Sequence, residues 1–110
     1  MDAFELSDVM AQQAASGRSY LEFLRVPALS IGVYTLPAGS QDLQEPHTED
    51  EVYYVAQGAA TIRVAGEDRP VMAGSMVYVP ARVEHRFHTI TQDLTVLVFF
   101  APAEYSQKTD

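Results

Sequence analysis

Short apolar runs, broken by Gly and Pro at near-regular intervals, leave this chain few folds other than a β-sandwich or a barrel. Residues 20–25 (YLEFLR) alternate and stop at Val26-Pro27; residues 29–36 (LSIGVYTL) alternate again and stop at Pro37-Ala38-Gly39. Residues 51–57 and 59–65 read as the two arms of a hairpin around Gly58, with Gly66-Glu67-Asp68 as the next turn. Residues 77–80, 84–90 and 94–100 complete the set. Ahead of the strands, residues 7–16 (SDVMAQQAAS) suit a short helix, with Ser7 or Asp8 to cap its start and Gly17 to stop it.

A chain of 110 residues with 47% apolar content suits one globular domain spanning residues 1–110, its core running from about residue 19 to 102. The polar tail from Glu104 to Asp110 is expected to fray. No apolar run nears the roughly 20 residues that span a bilayer. The first residues carry Asp2 and Glu5 and no basic stretch, so neither a signal peptide nor a membrane partner is expected, and a cytoplasmic location is the default. The formal charge of −8, with no cluster of Lys or Arg, excludes the basic face that a nucleic-acid partner requires. With no cysteine in the chain, any metal must be held by nitrogen and oxygen.

Such donors occur at suggestive spacing. Glu45, His47 and Glu51 share parity, so an extended strand would place them on one face, and His85 belongs to a second strand. Two imidazoles and at least one carboxylate converging inside a small barrel form a ligand set for a divalent transition metal. His88 has the opposite parity to His85 and should face outward. Tyr34, Tyr53 and Tyr78 are candidates to face the cavity, where a phenol can orient a substrate or serve as a weak acid; Tyr53 follows Glu51 on the same face. Arg82 and Arg86 flank His85, either as solvated charges or as a lure for an anionic substrate.

These segments resemble the paired motifs of the cupin superfamily, one of Gly, His, His, Glu and Gly, the other of Gly, Pro, Gly, His and Asn. The match falls on Gly39, His47, Glu51 and Gly58, then on Gly74, Pro80 and His85. Glu45 stands in place of the first His, Arg82 in place of a Gly, and Thr89 in place of the Asn. The resemblance implies an all-β jelly-roll barrel, here with a short N-terminal helix. It also implies a metal site of His47, Glu51 and His85, with Glu45 either a fourth ligand or, outside the coordination sphere, a general base. Fe, Mn, Zn and Ni all suit such donors. A metal-dependent enzyme acting on a small organic molecule follows, by oxygenase (dioxygenase), isomerase or lyase chemistry; the alternative is a non-catalytic module that binds a small molecule or sugar. No motif for a nucleotide, flavin or pyridoxal cofactor is present. The last run is apolar on both faces, with Leu94, Val96, Val98 and Phe100 on one and Leu97 and Phe99 on the other. One face fills the barrel and the other needs cover, from the helix or from a second copy in a homodimer.

Overall fold

Period-two alternation of apolar residues is converted into an antiparallel barrel with its apolar side chains inward. The computed structural model describes residues 1–43 and 45–109. Their elements are α1 (Leu6–Ser16), β1 (Tyr20–Val26), β2 (Leu29–Leu36), β3 (Asp50–Val64), β4 (Glu67–Met72), β5 (Met76–Val79) and β6 (His85–Ala101). Hydrogen bonding runs β1-β2-β6-β3-β4, with β5 on the free side of the first part of β3. This is the expected all-β jelly-roll with one short helix. Inward side chains of β2, β3 and β6, among them Leu36, Tyr53, Val55, Ile62, Phe87, Val96 and Phe100, form one continuous core.

Three local expectations are corrected. The hairpin around Gly58 does not form: β3 passes through Gly58 unbroken, pairing with β6 along its whole length through a series of register shifts. Gly58 is a bulge rather than a turn, with φ at 95°, and a Cβ there would sit 2.2 Å from the carbonyl oxygen of Asp93. Periodicity cannot tell a bulge from a tight turn, because both call for glycine at positive φ. The two runs from residue 84 to 100 likewise merge into β6. Glu67 and Asp68 are not turn residues but the start of β4, which carries Pro70 on an edge where its missing N–H costs no ladder bond.

The helix begins one residue before the expected start. Glu5 takes the N-cap position without a side-chain bond, so neither Ser7 nor Asp8 caps it, while Gly17 closes the other end at φ 71°. The helix packs on β1 and β2. Its buried Gln13 donates to the Ser19 carbonyl (2.6 Å) and to the Thr35 hydroxyl (3.0 Å), tying the helix to the rim of the barrel. Among the described residues, no helix is long and apolar enough to cross a membrane.

The C-terminal tail does not fray over its described part. The Glu104 N–H donates to Ser30 Oγ (2.9 Å), and the Tyr105 and Gln107 N–H groups donate to the buried carboxylate of Glu49. Composition suggests disorder here because several of the anchors are backbone N–H groups, which the tail's side chains do not reveal. Asp110 lies outside the described residues.

Candidate metal centre

Two strand starts and one loop bring the candidate donors together. Glu51 is the second residue of β3, and His85 is the first of β6. His47 is not on a strand: it lies in the loop that leads from β2 to β3. The His47 carbonyl accepts the Arg82 N–H at 2.6 Å, so the loop is held to the turn before β6. Asp42, buried in the same loop, accepts the Tyr34 hydroxyl (2.8 Å) and the Phe87 N–H (2.9 Å), which pins the loop across the barrel mouth.

His47, Glu51 and His85 each offer one ligand atom, and these atoms lie within 4.8 Å of one another. All three side chains are buried, Glu51 at 1% exposure. Glu51 Oε1 stands 3.1 Å from His85 Nε2 and 3.6 Å from His47 Nδ1. Both Glu51 oxygens, His47 Nδ1 and His85 Nε2 are nonetheless buried without a hydrogen bond of acceptable geometry. Four polar atoms withdrawn from water and left facing one another are costly unless something binds them, and each withheld bond costs about 1–3 kcal/mol. A divalent cation satisfies all of them, so the donor set fits a metal.

The remaining atoms of the site are positioned for that arrangement. His85 Nδ1 lies 2.9 Å from the Val83 carbonyl, which can only accept, so Nδ1 carries a hydrogen, and in the neutral ring Nε2 is left bare toward Glu51. Burial lowers the His85 pKa, but Glu51, the Val83 carbonyl and Asp42 outweigh it and hold the pKa above the ordinary histidine value. The His47 ring packs against Phe100 (4.6 Å between centroids, tilted) and Tyr105 (5.1 Å, near-parallel).

A cavity of about 570 Å³ opens beside His47, lined in part by Tyr20, Tyr34, Glu45, Glu104 and Tyr105. Glu45 is exposed at its wall and falls outside the group of three donors. Tyr53 is fully buried behind the site, its ring 5.9 Å from His85 and 5.0 Å from Phe87, and is absent from the cavity lining. Tyr78 points outward at 58% exposure. Arg82 and Arg86 are exposed and do not line the cavity. His88 faces away from the donors, against Asp68 (2.9 Å) and Thr89.

Sequence reasoning missed Tyr20, Glu49 and Glu104. The Tyr20 ring lies where a side chain on Gly32 would be, 2.2 Å from an ideal Cβ, and its hydroxyl is buried without a partner among the described residues. Burial first, then Glu104, Glu22 and Glu51, raise the Tyr20 pKa far above the usual phenol range, so the group remains a neutral donor. A glycine diagonal to an aromatic residue in paired strands was the available signal, since Gly32 pairs with Glu22 while Tyr20 pairs with Tyr34. Glu49 has Glu51's parity, which hinted at an inward carboxylate. Nothing in the tail's composition marked Glu104.

A family model described as a cupin domain matches residues 32–101. The chain is 51% identical over 104 residues to the uncharacterized protein SCO3923 of Streptomyces coelicolor, covering 94% of this chain and 99% of that one. Its fold is similar to that of a salicylate 1,2-dioxygenase mutant from Pseudoaminobacter salicylatoxidans, solved in complex with gentisate, at TM-score 0.70 and 18% identity. That match covers 87% of this chain and 30% of the dioxygenase. The DMSP lyase DddQ of Ruegeria pomeroyi is similar at TM-score 0.67 and 23% identity, over 77% of this chain and 42% of the lyase.

Proposed function

From a chain that belongs to the cupin family, we propose a metal-dependent enzyme acting on a small organic molecule. The observation that carries the proposal is the convergence of buried, unsatisfied donor atoms on His47, Glu51 and His85 beside a cavity of ligand size. His47 Nδ1, His85 Nε2 and the Glu51 carboxylate would hold the ion, a two-His-one-carboxylate set that leaves positions open. Once bound, the cation supplies Lewis-acid polarisation of a substrate oxygen. Fe, Mn, Zn and Ni are all compatible with the donors. The dioxygenase and lyase named among the structural neighbours favour turnover over a purely structural ion.

The chain's own residues do the rest. Tyr20 donates from its buried hydroxyl to an acceptor on the substrate. Glu45, at the wall and in water, is placed to take a proton as a general base. Tyr53 supports His85 from behind and leaves proton transfer to Glu45. The described lining holds the carboxylates of Glu45 and Glu104 and no Lys or Arg, so a neutral or cationic substrate is favoured over an anion. A homodimer is part of the reading. The helix covers β1 and β2 and leaves the outer face of β5, β3 and β6 with Val52, Tyr54, Met76 and Tyr78 exposed beside the half-buried Leu97 and Phe99.

The test is elemental analysis of protein purified without chelator and reconstituted with Fe(II), Mn(II), Zn(II) or Ni(II). About one ion per chain is expected, lost in His85→Ala and retained in His88→Ala. Oxygen-uptake and product screens with small phenols and diketones then test turnover; a melting shift with a ligand but no turnover would instead support a binding module. Glu45→Gln should slow turnover while leaving metal affinity unchanged, because Gln cannot accept the proton.

A further inference from the structure

The C-terminal tail reaches the candidate metal centre directly. Glu104 Oε2 lies 2.9 Å from His47 Nε2. A carboxylate can only accept, so the hydrogen on Nε2 belongs to this bond, and the neutral ring is left with a bare Nδ1. That bare nitrogen is the one buried without a partner, facing Glu51. Glu104 is itself largely buried, and its backbone is fixed at both ends. Its N–H donates to Ser30 Oγ (2.9 Å), and its carbonyl accepts from Arg25 Nη2 (2.9 Å). The next residue, Tyr105, stacks on the His47 ring, and its own N–H is held by Glu49.

We propose that Glu104 is a positioning residue for the metal site: it selects the His47 tautomer whose Nδ1 faces Glu51 and His85, and the tail delivers it there. This rests on the metal reading above. A histidine ligand usually donates its second ring N–H to an oxygen acceptor, which fixes the ring and raises its basicity. The Val83 carbonyl does this for His85, and Glu104 does it for His47. The two imidazoles are therefore held by opposite nitrogens, one from a turn adjoining its own strand and the other from the far end of the chain. In this arrangement the tail is part of the site rather than an appendage, and removing it would release His47 from both Glu104 and Tyr105.

The experiment has two arms. In the metal-free protein at alkaline pH, two-dimensional ¹⁵N–¹H correlation of the histidine rings should place the hydrogen of His47 on Nε2. The same spectrum of Glu104→Ala should show a mixture of tautomers, while Glu104→Gln, whose amide oxygen still accepts, should restore the single form. In the second arm, Zn²⁺ affinity measured by calorimetry should fall about 10–100-fold in Glu104→Ala and only a few-fold in Glu104→Gln. Hydrogen on Nδ1 in the unmutated protein would overturn the proposal. So would unchanged Zn²⁺ affinity in Glu104→Ala. A loss in Glu104→Gln as large as in Glu104→Ala, with the tautomer intact, would make Glu104 a ligand instead and overturn the positioning role. Failure of the unmutated protein to bind Zn²⁺ or any other divalent ion would sink the metal reading, while the tautomer arm would still decide what Glu104 does to His47.

Discussion

Arg82 and Thr89, two of the three places where the chain departs from the paired motifs, both lie at positive φ: 65° at Arg82 and 50° at Thr89. The motif residues at those positions are Gly and Asn, the types that enter the left-handed region most readily. The departures therefore leave the backbone path intact and carry strain instead. Arg82 bears it where its N–H meets the His47 carbonyl, so the cost falls on the turn that holds the candidate ligand loop. Arg82→Gly should raise stability by about 0.5–1 kcal/mol in denaturant unfolding, the relief of left-handed strain exceeding the extra chain entropy of glycine. Thr89→Asn should give a smaller gain, because it also removes the Thr89 contact to His88. A loss of stability in Arg82→Gly would show that the guanidinium contributes more than the backbone strain costs. The third departure, Glu45, has no backbone explanation; it is a change of side chain alone, at the cavity wall.

At the scale of elements, β3 and the tail decide how the site is assembled. The bulge at Gly58 lets β3 follow β6 past the close approach of the Asp93 carbonyl. Gly58→Ala should destabilise the fold by about 2–4 kcal/mol, since positive φ and a backbone clash act together. Thermal unfolding with little change in the midpoint would refute that account. The tail depends on Glu49. Burial raises the Glu49 pKa, but the Thr48 hydroxyl and the N–H groups of Gln107 and Tyr105 outweigh it and hold the group below the usual carboxylate value. Glu49→Ala should therefore cost about 1.5–3 kcal/mol and speed amide exchange at Tyr105 and Gln107 before exchange rises elsewhere. Uniform exchange across the barrel would mean that Glu49 supports the core and not the tail.

For the whole molecule, the uncovered sheet face sets the expectation. Val52, Tyr54, Met76 and Tyr78 lie on adjacent strands and are all at least one-third exposed, forming a continuous apolar surface where the helix does not reach. A dimer through this face should appear in light scattering at micromolar concentration, and Tyr54→Lys with Met76→Glu should give a folded monomer. A monomer without these substitutions would leave the face for another partner. Asp50, beside Tyr78, puts one carboxylate at the edge of this otherwise apolar patch, so low salt should weaken the dimer only modestly.

Period-two alternation, glycine and proline punctuation, and the spacing of His47, Glu51 and His85 were enough to give the all-β barrel and to single out three candidate donors that the structure brings together, but not the strand boundaries. Alternation places a side chain in or out of the sheet, and the donors follow it once two strands are paired. The parity argument for His47 reached a sound placement for an incomplete reason, because His47 sits on a loop pinned by Asp42 and Arg82. The tertiary structure alone decided that Gly58 bulges, that Glu45 stays at the wall, and that Glu104 bonds His47 from 57 residues away. The reason is physical: those outcomes depend on through-space contacts between segments distant in sequence and on backbone N–H groups, which every non-proline residue carries and no composition reveals.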